Sequence, residues 1–187
     1  MRWIVFLVAA LLALSMDSSL MRIFAIGKAH PQVTPVLAIF VLLGAPRLTG
    51  MWAALLLGVL LDLCSPIADT AGGVHYLLGP HALGFLFAAN VVQPLRTMVI
   101  RRNPLTIGVL SAIFSFAAAL VVVAFMVVRS WYGEPLVIFD GSAAPSELLR
   151  ALLRALYTGI LAVPLGWILN RTAGLWGFQQ PPQRLRW

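Results

Sequence analysis

The chain has 187 residues, of which 61% are hydrophobic and only 10% are charged. Soluble domains carry about 25% charged residues, so this composition excludes an ordinary soluble protein and predicts an all-α integral membrane protein. The net charge of +7 comes from 13 Lys and Arg residues against six Asp and Glu residues. Because the cations stand at the ends of apolar segments and in short loops, we expect them to anchor helices and not to bind nucleic acid.

Apolar stretches of about 20 residues are candidate transmembrane helices, and a bundle of six fits this chain. Residues 3–16 follow Met1-Arg2 and are similar to the apolar part of a signal peptide, but the apolar sequence continues downstream, which favours an uncleaved first helix. The second helix is short, so it must tilt, thin the bilayer or lie beside longer neighbours. The predicted helices after the first cover residues 33–44, 51–64, 74–92, 105–128 and 148–169.

One alternative joins residues 34–63 into a single kinked span, which would give five helices and place the C-terminus on the other side of the membrane. Arg47 argues for a turn at residues 45–50, because an arginine in the middle of a bilayer is costly. With six spans, most cations fall on the side of the two termini, so we expect both termini in the cytoplasm. Residues 1–170 would form the membrane bundle and residues 171–187 a cytoplasmic basic tail.

The predicted cytoplasmic cations are Arg2, Arg47, Arg96, Arg101, Arg102, Arg171, Arg184 and Arg186, and those on the outer side are Arg22, Lys28, Arg129, Arg150 and Arg154.

The stretch 49–76 is predicted to hold the polar centre of the bundle. Gly58 and Asp62 are four residues apart and share one helix face. A carboxylate at the end of an apolar helix needs a partner, and a glycine one turn earlier lets another helix backbone come close. The chain then breaks at Ser65-Pro66 and runs through a polar loop to Gly73 and His75. A structural role for Asp62 is therefore a better interpretation than a catalytic one.

The sequence shows no pattern typical of a metal or catalytic site. His30, His75 and His81 are scattered, and of these we expect His75 to approach Asp62, if the loop folds back. His81 follows six residues later on the same predicted helix and should point elsewhere. No G-x-S-x-G or phosphate loop is present, and no inverted repeat of the kind found in secondary transporters is evident. We expect no enzyme activity, no cofactor and no metal.

Small residues mark the helix surfaces that are predicted to contact other helices. Ala9 and Ala13 form a small-xxx-small pair in the first helix. With Gly58, Asp62, Gly73 and His75, they make up the predicted set of structural or partner-contact residues.

Several short motifs resemble the family of the rod shape-determining protein MreD. They are Asp17-Ser-Ser-Leu-Met-Arg22, Ile26-Gly-Lys-Ala-His-Pro31, Ala45-Pro-Arg47 and Leu57-Gly-Val-Leu-Leu-Asp62-Leu63, followed by Gly73-Val-His-Tyr-Leu77. The chain departs from the family pattern at Gln32 and in the longer loop 65–72.

The resemblance implies a non-enzymatic inner-membrane component of the bacterial cell-elongation machinery. Such a protein would bind MreC, and through it help to organise MreB, the RodA glycosyltransferase and its penicillin-binding transpeptidase. Members of this family are also similar in fold to the S components of energy-coupling transporters. The alternative function is therefore an S-component-like subunit that binds a small molecule such as a vitamin.

Overall fold

The structure, a computed structural model, describes residues 1–25, 30–65, 67–68, 74–96, 103–131 and 144–178. These residues form α1 (Trp3–Ser18), α2 (Leu20–Ile23), α3 (Thr34–Gly44), α4 (Arg47–Cys64), α5 (Pro80–Leu95), α6 (Pro104–Ser130), α7 (Ala144–Thr172) and a 3-10 turn (Ala173–Trp176). The only strands among them are the two-residue segments β1 (Ile67–Ala68) and β2 (Val74–His75), which pair antiparallel. The predicted all-helical fold is confirmed apart from this short pair, and six of the helices are longer than ten residues.

The chain turns sharply between α3 and α4, at Ala45 and Pro46. At this turn the first residues of α4 fold back onto the last turn of α3, so that a Cβ added at Gly50 would lie 3.4 Å from the Cα of Leu42. Two residues eight positions apart on one continuous helix would be about 12 Å apart. The alternative of a single kinked helix over residues 34–63 is therefore wrong.

The short helix α3 lies at the centre of the bundle. Every residue from Thr34 to Leu43 is buried, on all faces of the helix. A helix that is apolar all round is stable only where other helices surround it, and α1, α4, α5, α6 and α7 all contact α3. At roughly 1.5 Å per residue α3 is about 16 Å long, whereas α6 and α7 are each about 40 Å long. The sequence left open whether this short helix tilts, thins the bilayer or lies beside longer neighbours. The structure shows that it lies beside longer neighbours.

Successive long helices pack antiparallel along the chain. In the last pair, Ile107 of α6 meets Gly166 of α7, and Ala112 meets Gly159. The two glycines let the helices approach closely, because a Cβ on Gly159 would lie 2.9 Å from the Cβ of Ala112. The same antiparallel arrangement joins α4 to α5 and α5 to α6.

The first and last described segments meet at one end of the bundle, here called the terminal end. The backbone N–H of Arg2 donates to the carbonyl of Trp176 at 2.9 Å. Trp176 is almost fully buried, and its ring packs against Phe40 and Phe178. The boundary predicted at residue 170 therefore falls inside α7, and residues up to Phe178 belong to the bundle. The rest of the predicted basic tail lies outside the described residues.

In the part of the chain that the structure describes, three helices are long and apolar enough to cross a membrane: Arg47–Cys64, Pro104–Arg129 and Pro145–Trp176. Trp3–Ser18 and Thr34–Gly44 are shorter apolar helices. Large apolar side chains such as Ile4, Trp52, Val109 and Ile160 are exposed on the bundle surface. These features are compatible with a membrane protein. The six crossings and the cytoplasmic position of the termini stay predictions.

Candidate functional site

Asp62 lies in the last turn of α4, and its carboxylate caps the first turn of α5. Its carboxylate is 1% exposed, and it accepts hydrogen bonds from the backbone N–H groups of Gly79 at 2.8 Å, His81 at 3.0 Å and Ala82 at 3.2 Å. The first N–H groups of a helix have no partner within the helix, so a carboxylate placed there satisfies them and interacts favourably with the helix dipole. The sequence predicts that Asp62 needs a polar partner, and the structure shows that this partner is the set of backbone N–H groups at the start of α5.

His81 gives Asp62 a fourth hydrogen bond. Its Nδ1 lies 2.8 Å from Oδ1 of Asp62, and its side chain is 29% exposed. The expectation that His81 points away from Asp62 is wrong, because α5 begins at Pro80 and not at Val74. His75 and His81 therefore do not share a helix, and the backbone of His75 belongs to β2. The side chain of His75 lies outside the described part of the structure, as does Gly73.

The junction at which the Asp62 carboxylate binds the start of α5 is here called the α4–α5 corner. One turn before Asp62, Gly58 brings α4 and α5 into backbone contact. A Cβ added to Gly58 would lie 2.5 Å from the Cα of Ala82 and 2.6 Å from the carbonyl oxygen of His81. These distances are shorter than any real carbon contact, so only glycine fits without movement of the backbone. Gly58 therefore holds Asp62 at the right distance from α5, and its surface is occupied within the chain rather than open to a partner.

Asp17 is a second carboxylate that binds the start of a helix, and its role was not predicted from the sequence. It joins α1 to α3 at a junction called the α1–α3 corner. Asp17, in the last turn of α1, is 8% exposed. It accepts the backbone N–H of Val33 at 2.5 Å and that of Thr34 at 3.0 Å, and the Thr34 hydroxyl donates to it at 2.5 Å. A sequence signal existed, because the spacing from Asp17 to Pro35 equals that from Asp62 to Pro80. In both cases the proline stands in the first turn of the capped helix.

The remaining predicted contact residues lie along α1. Ala13 is buried in the core, and Ala9 is partly buried against it. Ala13 is thus used within the chain, and partner contact through Ala9 stays a prediction. Ala13 precedes Asp17 by one turn, as Gly58 precedes Asp62.

The centre of the bundle contains further polar side chains. Thr158 of α7 is fully buried, and its hydroxyl accepts the backbone N–H of Gln32 at 3.1 Å. Ser111 of α6 is also fully buried, and its hydroxyl has no hydrogen-bond partner among the described residues. Thr158 thereby fixes the segment that leads into α3, next to the bonds made by Asp17.

The Asp62 carboxylate is saturated with hydrogen bonds. Each oxygen of Asp62 accepts two hydrogen bonds, which leaves no lone pair directed at a substrate. Among the described residues, no three His, Cys, Asp or Glu side chains come close enough to hold a metal ion. The arrangement joins helices and offers no evident nucleophile or base.

Comparison of the chain with protein families, with curated proteins and with solved structures gives no match in any of the three.

Proposed function

We propose that this chain is a non-enzymatic scaffold of the bacterial inner membrane, similar to MreD, that acts in cell elongation and binds an MreC-like protein. Through that partner it would contribute to the assembly of MreB, RodA and the penicillin-binding transpeptidase. One observation carries the proposal: the acidic residues of two motifs that resemble the family join helices, and a third motif contains a helix break. Asp17 and Asp62 close two helix starts, and Ala45-Pro-Arg47 contains the break between α3 and α4.

The proposed membrane topology has the terminal end in the cytoplasm and the two carboxylate corners towards the periplasm. Three helices of suitable length and an apolar surface support insertion into a membrane. An even number of crossings brings both chain ends to one side, in keeping with the hydrogen bond between Arg2 and Trp176. Arg2, Arg47 and Arg171 then fall on the cytoplasmic side, as the excess of positive charge in cytoplasmic loops requires.

A scaffold role also accounts for how the polar groups are used. An enzyme needs titratable groups directed at a substrate, whereas Asp62 and Asp17 are occupied by backbone N–H groups of the same chain. A rigid bundle that exposes apolar helix faces to lipid has those faces available for the transmembrane helix of a partner.

The test is co-purification of the tagged full-length chain with MreC from detergent-solubilised bacterial membranes, with bound proteins identified by mass. We expect MreC among the partners of the wild-type chain and not with an unrelated membrane protein of equal expression. Recovery of the chain without MreC, RodA or the transpeptidase would contradict the proposal. In the same preparation, a thermal shift with vitamins separates the S-component-like alternative, because a ligand at 100 times its dissociation constant adds about 2.7 kcal/mol.

A reporter fused after Trp187 tests the orientation separately. We expect it in the cytoplasm, since six crossings return the chain to the side on which it started. A periplasmic reporter would refute the six-span topology, even if MreC still co-purified.

A further inference from the structure

Glu147, Arg150 and Arg154 form a charged stripe on the half of α7 that is remote from the terminal end. The three residues stand at positions i, i+3 and i+7, which share one helix face. Arg154 is one turn from Thr158, which is fully buried. The exposed side of this half of α7 carries large apolar side chains, namely Leu149, Leu152, Leu153, Leu156 and Ile160. The charged stripe therefore runs along the boundary between the buried and the apolar exposed faces.

The charges of this stripe do not balance. The guanidinium of Arg150 donates through Nη1 to Oε1 of Glu147, so these two residues form an ion pair. Arg154 is seven residues further along the helix than Glu147, a rise of roughly 10 Å, and the ion pair of this carboxylate is with Arg150. The Nε atom of Arg154 is buried and has no hydrogen-bond partner in the described part of the chain. Within the described ranges, one guanidinium charge is thus left without an anion at short distance.

An arginine at such a boundary is costly in a membrane unless it reaches water or an anion. Arg154 is partly exposed, so its outer nitrogen atoms can be approached from the surface. The guanidinium fork matches the oxygens of a phosphate group, with which it forms short charge-assisted hydrogen bonds. The adjacent exposed leucines present the kind of surface that acyl chains cover. A phospholipid supplies both the phosphate and the chains, whereas a free phosphate ion supplies only the first.

We propose that Arg154, assisted by Arg150, binds the phosphate of an anionic phospholipid along α7. The lipid would place its headgroup beside the charged stripe and its acyl chains over the leucines. Glu147 competes with the lipid for the guanidinium groups, and its ion pair with Arg150 limits the affinity. The inference depends on insertion of the chain into a membrane, as in the proposed function, but not on a role in cell elongation.

Binding is measured by native mass spectrometry of the full-length chain in detergent, titrated with phosphatidylglycerol. We expect Arg154→Gln to weaken binding on the order of tenfold, the loss for one charge-assisted hydrogen-bond pair. Arg154→Lys should keep part of the affinity, because it retains the charge without the fork. Arg171→Gln is the matched control, since this arginine lies on the same helix with its guanidinium over the ring of Trp167 at 3.7 Å, and it should bind like wild type.

Glu147→Gln decides between the lipid site and a purely internal role of the stripe. Removal of the competing carboxylate should strengthen phosphatidylglycerol binding several-fold. If the arginines serve only to pair with Glu147, the same variant lowers thermal stability and leaves lipid binding unchanged, which would overturn the proposal. This variant keeps the test valid even if Arg154→Gln fails to fold.

Two further results would also overturn the lipid site. One is equal binding of phosphatidylglycerol by wild type and a folded Arg154→Gln variant. The other is stabilisation by inorganic phosphate without retention of any phospholipid, which would indicate a free anion as the ligand. Recovery of the wild-type chain in the soluble fraction would instead refute the membrane insertion on which the proposed function also rests.

Discussion

The two carboxylate corners use the same device but differ in how tightly they are built. Asp62 accepts four hydrogen bonds, one of them from His81, whereas Asp17 accepts three and has a threonine where the other corner has a histidine. One turn earlier, α4 has Gly58 in direct contact with the backbone of α5, but α1 has Ala13. The α4–α5 corner is therefore the closer of the two joints, and we expect it to contribute more to stability.

The corners also differ in what they hold. Asp17 fixes the start of α3, the helix that is buried on every face. Asp62 fixes the start of α5, of which one side is exposed. Loss of Asp17 therefore disturbs the position of a central helix, and loss of Asp62 opens a hairpin at the edge of the bundle. The number of hydrogen bonds predicts that the Asp62 corner contributes more to stability, whereas the central position of α3 predicts that the Asp17 corner does. The melting temperatures of variants at the two corners decide between these predictions.

Asp62→Ala should have the largest effect on stability. The change leaves three backbone N–H groups at the start of α5 without an acceptor in a buried site, which costs about 3 kcal/mol. The measurement is the apparent melting temperature of the purified chain in detergent, with the monodisperse fraction as a second readout. Asp62→Asn should recover part of the loss, because one amide oxygen still accepts. A wild-type melting curve for Asp62→Ala would show that the corner does not hold the fold.

Asp17→Ala should rank second, with a loss of about 2 kcal/mol for the two backbone donors and the Thr34 hydroxyl. Thr34→Val, which removes only the hydroxyl, is the smaller matched change. If Asp17→Ala lowers the melting temperature more than Asp62→Ala, the central position of α3 outweighs the number of bonds. The two sites share no partner, so the double variant should show additive losses.

The sequence allowed a prediction of the Asp62 corner because an acid at the end of an apolar helix is rare and needs a partner. It did not single out Asp17, which stands among Ser15, Ser18 and Ser19, where a helix end is already polar. Yet Arg2, Asp17, His30, Pro35 and Phe40 are each followed, at one constant spacing, by a residue of the same type, namely Arg47, Asp62, His75, Pro80 and Phe85. A search for inverted repeats does not detect this direct correspondence.

Two other features were beyond reach of the sequence. The central place of α3 could not be predicted, because an all-apolar helix has the same pattern whether lipid or protein surrounds it. The partner of Asp62 depends on where α5 begins, and the helix begins at Pro80 rather than at the predicted start at Val74. The number of long helices followed from composition and prolines, whereas the approach of His81 to Asp62 required the fold.

Gly58→Ala should cost roughly 1–2 kcal/mol by overpacking, because its Cβ would overlap the backbone of Ala82. The effect should be confined to the α4–α5 corner and should shrink in the background of Asp62→Ala, where the joint is already loosened. Gly174→Ala is the control, since a Cβ there meets nothing within 4 Å. If Gly58→Ala melts like wild type, the closer contact does not explain the greater stability that we assign to this corner.

His81→Ala should have the smallest effect of the series, about 1 kcal/mol or less, because the histidine is partly exposed and contributes one of four hydrogen bonds. This variant leaves Asp62 with three hydrogen-bond donors, the same number that Asp17 has. The two corners can then be compared at equal numbers of hydrogen bonds. In this background the losses caused by Asp62→Ala and by Asp17→Ala should become more nearly equal. A difference between the two that is as large as in the wild-type background would mean that close packing at Gly58, and not the histidine, separates the two corners.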